Sequence, residues 1–180
     1  MLVIKNDTDK HWVTFYTKPR AEKKAYAQLL RAGFEPYLPL QRRLHKWHDR
    51  KKWVDVPLFN SYIFVRIPFN QLYNVLEQPN VTRYVRFGDE IAVLSQKELD
   101  TIQRLLDSER ELFVQNMSQL RKGARVRLLA GGVFEGLEGE LVSDNKNGNF
   151  AVRIQCVSSV ILLEMDRQLM ELVEPDESVS

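Results

Sequence analysis

Histidine and cysteine, the residue types with the widest range of chemistry, are both scarce in this chain. The three histidines are His11, His45 and His48, and the last two lie three residues apart beside Asp49. That spacing can hold a metal ion, but a site needs further ligands and a supporting shell. A solvated loop explains the segment better, so we expect no metal site.

The sequence also gives no support for covalent catalysis or for a phosphate-binding loop. Cys156, the one cysteine, lies in a stretch typical of a strand, where a thiol acts as a small buried hydrophobic side chain. A single cysteine excludes an internal disulfide and fits a reducing compartment. No GxxxxGK[ST] or GxGxxG loop is present, and we interpret Gly136 and Gly139 as turn residues. We therefore predict a binding protein without a cofactor rather than an enzyme.

Positive charge interleaved with aromatic rings forms the first candidate binding surface. Residues 1–90 carry 16 Lys and Arg against 9 Asp and Glu, whereas residues 91–180 carry 10 against 15, so a polyanion should meet the front half. The candidate cations are Lys18, Arg20, Lys24, Arg42, Arg43, Lys46, Arg50, Lys51 and Lys52. The aromatic residues among them are Tyr16, Tyr37, Trp47 and Trp53.

Lys and Arg neutralise phosphates, and aromatic rings offer unpaired bases a stacking face, so this surface predicts a nucleic-acid partner. The alternative is a charged loop that only keeps the protein in solution. A second candidate surface consists of the rings Phe59, Tyr62, Phe64 and Phe87. Because side chains alternate along a strand, Tyr62 and Phe64 share one face. These rings either fill the core or line a face that a partner covers.

The elements that position these residues follow from periodicity. "HWVTFYT" (11–17) is typical of a strand, and the following segment predicts a helix from Pro19 to Gly33 with a stripe of Ala21, Ala25, Leu29 and Ala32. "RRLHKWHDRKK" should be an exposed hairpin tip, "WVDVPLFNSYIFVRI" a strand and "FNQLYNVLEQ" a short helix. Ser95 three residues before Glu98 predicts a capping box. The order indicates an α+β sandwich with helices against a largely antiparallel sheet.

The rear half has a different pattern. Residues 108–121 lack periodicity and predict a linker after a first domain at 1–107. Four short strand candidates then follow within residues 122–174, separated by turn residues, which indicates a small barrel. We expect residues 175–180 to be a disordered tail. The polar start and the lack of long apolar runs predict a soluble cytoplasmic protein without a membrane partner.

Four segments in order carry a family resemblance. "HWVTFYTKPRAEKKA", "PLFNSYIFVRI", "YVRFGDEIAVLS" and "KGARVRLLAGGVFEGLEGELV" resemble the NusG family of transcription elongation factors. "PLFNSYIFV" and "YVRFG" are more similar to its specialised antiterminators, which resemble RfaH and include the UpxY type of polysaccharide operons. The resemblance implies an N-terminal NusG-type (NGN) domain and a C-terminal SH3-like β-barrel, the KOW domain. Its KOW motif would comprise Gly132, Phe134, Glu135, Gly136 and Gly139.

The resemblance also implies partners. The first domain would dock on the clamp helices of RNA polymerase through Tyr16, Phe59, Tyr62, Phe64 and Phe87. Lys18 and Lys24 match the positions that face the single-stranded non-template DNA. The KOW domain would recruit a ribosomal protein or a termination factor, and its many Val and Ile residues favour strands over the helices that RfaH can adopt there. We expect a monomer.

Two other functions fit parts of the sequence. A ribosome-associated KOW protein would bind nucleic acid through its barrel, although residues 122–174 carry 6 basic and 8 acidic residues. A pure protein adaptor would leave the basic hairpin without a purpose.

Overall fold

The computed structural model describes residues 8–46, 51–119, 123–142 and 147–173. These residues divide into two compact units. The first lies within residues 1–99 and includes the turn Gln155–Val157, and the second lies within residues 100–154 and 158–180. Within the described ranges, no helix is long and apolar enough to cross a membrane.

The front of the chain alternates strands with three helices. In chain order, its elements are β1 (His11–Thr17), α1 (Glu22–Arg31), β2 (Pro36–Tyr37), β3 (Leu40–Lys46), β4 (Lys51–Pro57), β5 (Tyr62–Ile67), α2 (Leu72–Leu76), β6 (Val81–Tyr84), β7 (Arg86–Phe87), β8 (Glu90–Ile91), β9 (Val93–Leu94) and α3 (Gln96–Asp107). The predicted strand at 11–17 and the helix within residues 69–78 are both present. The single strand predicted over residues 53–67 is wrong, because a turn at residues 58–61 divides it into β4 and β5.

The main sheet of the first unit is antiparallel, in the order β2-β5-β1-β6, with β9 also paired to β1. β3 and β4 form a separate hairpin, as do β7 and β8. One face of the main sheet packs on α1 and α2. Its buried core is Val13, Phe15, Ala25, Leu29, Ile63, Val65, Ile67, Leu72, Val75 and Val81. The predicted apolar stripe is confirmed at Ala25 and Leu29, whereas Ala21 is buried just before α1 and Ala32, just after its end, is exposed.

Helix α1 begins later than predicted. Arg20 has a φ of 59°, a left-handed conformation that cannot continue a helix, so Pro19 and Arg20 belong to a turn and α1 starts at Glu22. Arg20 therefore does not share a helix face with Lys24. The Glu22 carboxylate is buried and accepts a hydrogen bond from the Ser61 backbone N–H at 2.7 Å, which ties this helix start to the loop before β5.

Helix α3 begins with the predicted capping box. The Ser95 Oγ accepts from the Glu98 backbone N–H at 3.2 Å, and the Glu98 carboxylate accepts from the Ser95 backbone N–H at 2.9 Å. Each partner satisfies a backbone donor that the first helical turn would leave unpaired. This local signal is confirmed.

The second unit is rich in strands: β10 (Phe113–Asn116), β11 (Ala124–Leu128), β12 (Glu138–Leu141), β13 (Asn147–Ile154), β14 (Ser159–Asp166) and β15 (Met170–Leu172). They form one antiparallel sheet in the order β10-β14-β13-β12-β11-β15. The four predicted strands are β11 to β14. The expected α+β class, with an antiparallel first sheet and a strand-rich second part, is confirmed.

Two strands of this sheet do not appear in the prediction. β10 lies inside residues 108–121, which we predict to be a linker, and it pairs with β14. β15 pairs with β11. Both are short and partly polar, so their stability comes from a distant strand and not from local periodicity. The predicted tail at 175–180 lies outside the described residues.

Candidate functional site: an aromatic sheet face and a basic hairpin

Aromatic side chains line the sheet face opposite α1 and α2. The register places Tyr16 of β1 directly across from Tyr62 of β5. Their ring centroids are 4.8 Å apart, and the Tyr62 hydroxyl donates to the Tyr16 hydroxyl at 3.3 Å. Burial and this hydrogen bond raise the pKa of the Tyr62 phenol, so it stays neutral at physiological pH.

Two further predicted rings meet beside this pair. Phe59 and Phe64 pack edge to face with centroids 6.2 Å apart. Both are buried, with 2% and 0% of their surface exposed. Phe87 lies on β7 and is 47% exposed, and no ring contact joins it to the other four in the described part of the chain. The structure thus brings four of the five predicted rings together as two pairs.

The turn Gln155–Val157 belongs to the same compact unit as these rings. Its Gln155 backbone N–H donates to the Glu98 carboxylate at 2.9 Å. Cys156 is buried against Thr14, the residue across β1 from Phe64, and burial raises the pKa of its thiol to about 12. Cys156 is a buried side chain, as predicted, but it lies in the turn between β13 and β14 and not in a strand. Its position also means that the ring face is partly occupied within the unit.

The ring face extends further than predicted. Trp12 packs against Tyr37 at 5.9 Å, and Tyr37 packs against Phe64 at 6.1 Å. Arg83 of β6 lies across from Tyr16 and places its guanidinium 4.6 Å from the centre of that ring. Alternation along "HWVTFYT" already puts Trp12 on the Tyr16 face. The roles of Tyr37 and Arg83 depend on strand register, which has no local sequence signal.

The basic surface is partly brought together. Lys18, Arg20 and Lys24 are exposed around the start of α1. The neighbouring Lys23 ammonium donates to the Asp55 backbone carbonyl on β4, which ties α1 to the hairpin. Arg42 is exposed, with its guanidinium 5.5 Å from the centre of the Trp53 ring.

The remaining predicted cations differ from this arrangement. Arg43 is only half exposed, because its side chain points to the other face of the hairpin from Arg42. Lys51 and Lys52 are exposed at the start of β4. The Lys46 side chain and all of Arg50 lie outside the described residues, as does Trp47.

The glycine loop of the second unit is tightly bonded. Gly132 and Gly136 have φ values of 57° and 70°, and Gly136 N–H donates to the Leu128 carbonyl at 2.9 Å. The Glu135 carboxylate accepts from Gly131 N–H at 2.9 Å, and Phe134 is buried beneath. Gly136 is therefore a turn residue, as predicted.

Gly139 is not a turn residue, and that prediction is wrong. It lies within β12, where a Cβ atom would be 2.5 Å from the Ala151 carbonyl oxygen and 2.6 Å from the Phe150 ring. Glycine is needed there because a neighbouring strand approaches too closely for any side chain.

Metal chemistry has no candidate in the described residues, since none of their His, Cys, Asp and Glu side chains form a group of three that could hold an ion. His45 lies on β3, and His48 is outside the described residues.

Comparison with known proteins gives two matches. Residues 10–103 match the family described as "NusG: Transcription termination factor nusG". The solved structure described as "Domain interaction in Thermotoga maritima NusG" has a similar fold, with a TM-score of 0.55 and 18% sequence identity. That match covers 92% of this chain and 98% of the other. No curated protein matches the chain in sequence.

Proposed function

Because this chain belongs to the NusG family of transcription factors, we propose that it binds RNA polymerase during elongation and suppresses pausing and termination. The observation that carries the proposal is the row of rings on the sheet face opposite α1 and α2. An amphipathic helical pair laid against an aromatic concavity is a recurring mode of recognition. We assign the clamp helices of the polymerase to this face.

The contact residues differ in how a partner can reach them. Tyr16 and Tyr62 are half-buried and Phe87 is half-exposed, so these three can contact a helix directly. Phe59 and Phe64 are buried in the chain as it stands. Docking on Phe64 therefore requires the turn Gln155–Val157 to withdraw from this face. Until it does, Tyr16 and Tyr62 are the predicted rings of this face that a partner can reach, and Phe87 on β7 is a separate exposed contact.

The effect on transcription follows from differential affinity. A protein that holds the mobile clamp over the DNA binds the closed, elongating polymerase better than the paused one. It then shifts the equilibrium toward elongation by that difference in binding free energy. Pausing and termination decrease without any catalytic step.

The basic surface supplies a second contact. Lys18, Arg20 and Lys24 form its exposed part at the start of α1, and Arg42 is exposed on the hairpin. From the sequence we add Arg43, Lys46 and Arg50 to the proposed contact. We assign it to the exposed non-template DNA strand, since Lys and Arg side chains neutralise a phosphate backbone. The acidic second unit, with its KOW motif, recruits a ribosomal protein or a termination factor. The RfaH-like motifs favour a role at a polysaccharide operon.

A transcription assay on purified elongation complexes tests the proposal. Halted complexes are restarted with and without the full chain, and the lifetime at a known pause is measured. We expect the chain to shorten the pause and Phe87→Ala to weaken this effect. The loss of a contact worth about 2 kcal/mol raises the required protein concentration about 30-fold.

Tyr73→Ala is the matched control. Tyr73 is 66% exposed on α2, which packs on the other face of the sheet, so its loss should leave the pause lifetime unchanged. A chain that binds polymerase without changing pausing contradicts the antitermination role. Equal behaviour of the Phe87 and Tyr73 variants contradicts the assigned face.

A further inference from the structure

The outward face of the β3–β4 hairpin carries three exposed apolar side chains among charged ones. Leu44 lies directly across from Trp53 in the register, and Leu40 is on the same side. Their exposed fractions are 40%, 54% and 37%. On the opposite side, Gln41 is buried and Val56 is half-buried. The hairpin therefore points its largest ring into solvent while a glutamine faces the protein.

Three large apolar side chains on this solvated face are unusual, although Arg42, Lys51 and Asp55 lie on the same face. An antiparallel pair with one solvated face normally places polar residues on that face. An apolar patch that is left exposed and bordered by polar residues marks an interaction site. The polymerase contact proposed above does not account for it, because that contact uses the main sheet and β7, and the hairpin is a separate sheet.

The positive charge of the hairpin indicates that its binding partner is a nucleic acid. Residues 40–46 and 51–57 contain five basic residues and one acidic residue, Asp55. The Arg42 guanidinium lies over one face of the Trp53 ring, 5.5 Å from its centre, and 54% of Trp53 stays exposed, so a cation borders the stacking surface. An aromatic ring can stack on an unpaired base while a neighbouring cation binds the phosphate of the same nucleotide. The pair formed by Trp53 and Arg42 therefore suits a single nucleotide whose base is unstacked. A duplex keeps its base faces hidden and cannot use the ring.

We propose that Trp53, supported by Leu44, stacks on an unpaired base of a single-stranded nucleic acid, with Arg42 and Lys51 on the adjoining phosphates. This deepens the nucleic-acid contact in the proposed function and rests on it. It makes the hairpin a reader of strand separation, because only a melted segment presents a base to Trp53.

Binding of labelled oligonucleotides to the full chain without polymerase tests the inference. The probes are a deoxythymidine strand of about 12 nucleotides, within the usual site size, and a duplex of the same length. Fluorescence anisotropy is measured for the wild-type chain, Trp53→Ala, Trp53→Phe and the exposed-ring control Tyr73→Ala. Trp53→Ala should weaken single-strand binding about tenfold or more, while Trp53→Phe and Tyr73→Ala stay close to wild type. Duplex binding should change little in all three variants.

Each other result has a distinct meaning. If the wild-type chain binds neither probe, the nucleic-acid part of the proposed function fails together with this inference. If the wild-type chain binds the strand and Trp53→Ala binds equally well, the stacking role is overturned while the basic surface survives. If Trp53→Ala loses affinity equally for the single strand and for the duplex, the stacking role is also overturned. Light scattering that shows a dimer abolished by Trp53→Ala overturns it as well and assigns the face to a second copy.

Discussion

Gly139 shows how a single backbone position can limit the packing of a sheet. It pairs with Val126 on one side, and the Phe150 ring and Ala151 carbonyl occupy the space where a side chain would stand. We expect Gly139→Ala to lower the free energy of unfolding by about 1–3 kcal/mol, because β12 and β13 must move apart. Urea titration followed by circular dichroism measures the change.

Gly132→Ala is the control for Gly139→Ala, because it tests the effect of backbone conformation without steric crowding. Gly132 has a φ of 57° and open space around a built Cβ atom, so the substitution adds only backbone strain of about 1–2 kcal/mol. Gly139 has no such φ. If Gly139→Ala is neutral while Gly132→Ala is destabilising, the close approach of the two strands is not a packing constraint.

Cys156 gives a second prediction at the scale of one residue. Burial raises the pKa of its thiol from 9.0 to about 12, so the reactive thiolate is about a thousandfold rarer near neutral pH than in the unfolded chain. Because the unfolded thiol loses its proton first, this burial stabilises the fold fully below about pH 9 and progressively less toward pH 12. Alkylation by iodoacetamide at about pH 8 should be far slower in the native than in the denatured chain. Equal rates would show that the turn Gln155–Val157 is open.

Neighbouring strands of the second unit are joined by an ion pair with little solvent contact. The Arg153 guanidinium of β13 donates to both oxygens of the Glu140 carboxylate of β12, at 2.7 and 3.0 Å. Their side chains are 12% and 15% exposed. The same carboxylate accepts from Gly123 N–H at 3.0 Å, so it also positions the chain before β11. Three segments therefore depend on one acidic side chain.

Removing one partner should be costly. We expect Glu140→Gln to lower the free energy of unfolding by about 1.5–3 kcal/mol, because it weakens the charge-assisted hydrogen bonds between Arg153 and Glu140. Thermal unfolding of the purified chain measures the loss. The exposed pair of Arg66 with Glu35, 3.5 Å apart, is the control, and Glu35→Gln should cost about 1 kcal/mol or less. Similar effects of the two substitutions would contradict the structural role of the buried pair.

The distribution of charge over the whole molecule leads to a prediction about salt. Residues 1–90 carry 16 basic and 9 acidic residues, an excess of seven positive charges. Residues 91–180 carry 10 basic and 15 acidic residues, an excess of five negative charges. We expect single-stranded DNA to bind the full chain with a steep loss of affinity as salt increases. Lys24→Ala should reduce the slope of log K against log salt by about 1.

Arg167→Ala is the comparison for that measurement, since Arg167 is an exposed cation of the acidic rear half and should leave the slope unchanged. Affinity that does not vary with salt would exclude phosphate contacts and favour the adaptor function. Equal slopes for the Lys24 and Arg167 variants would place the DNA elsewhere on the molecule.

Docking of polymerase gives the last prediction at this scale. If clamp helices reach Phe64, the turn Gln155–Val157 must leave the ring face, and Cys156 becomes accessible. Alkylation of Cys156, followed by mass spectrometry of its peptide, should therefore become faster when polymerase is added. Binding without faster alkylation would confine the contact to Tyr16, Tyr62 and Phe87.

Elements whose signals lie within a few neighbouring residues were predictable. The Ser95–Glu98 cap, the apolar stripe of α1 and strands β11 to β14 all depend on residues close together in the chain. Each of these elements is stabilised by backbone hydrogen bonds and by the burial of side chains within one or two helical turns or within one strand. The family resemblance was visible in the same way, because its motifs are short and ordered.

Contacts between distant residues required the folded chain. Tyr16 and Tyr62 are 46 residues apart, and their hydrogen bond exists only because β1 and β5 pair in one register. β10 and β15, the crowding at Gly139 and the outward face of Trp53 likewise depend on which strands become neighbours. A shift of one residue in register would reverse every face, and local propensity does not encode that choice. Residue types and order therefore define the elements and the family, while strand pairing defines the surfaces available for binding.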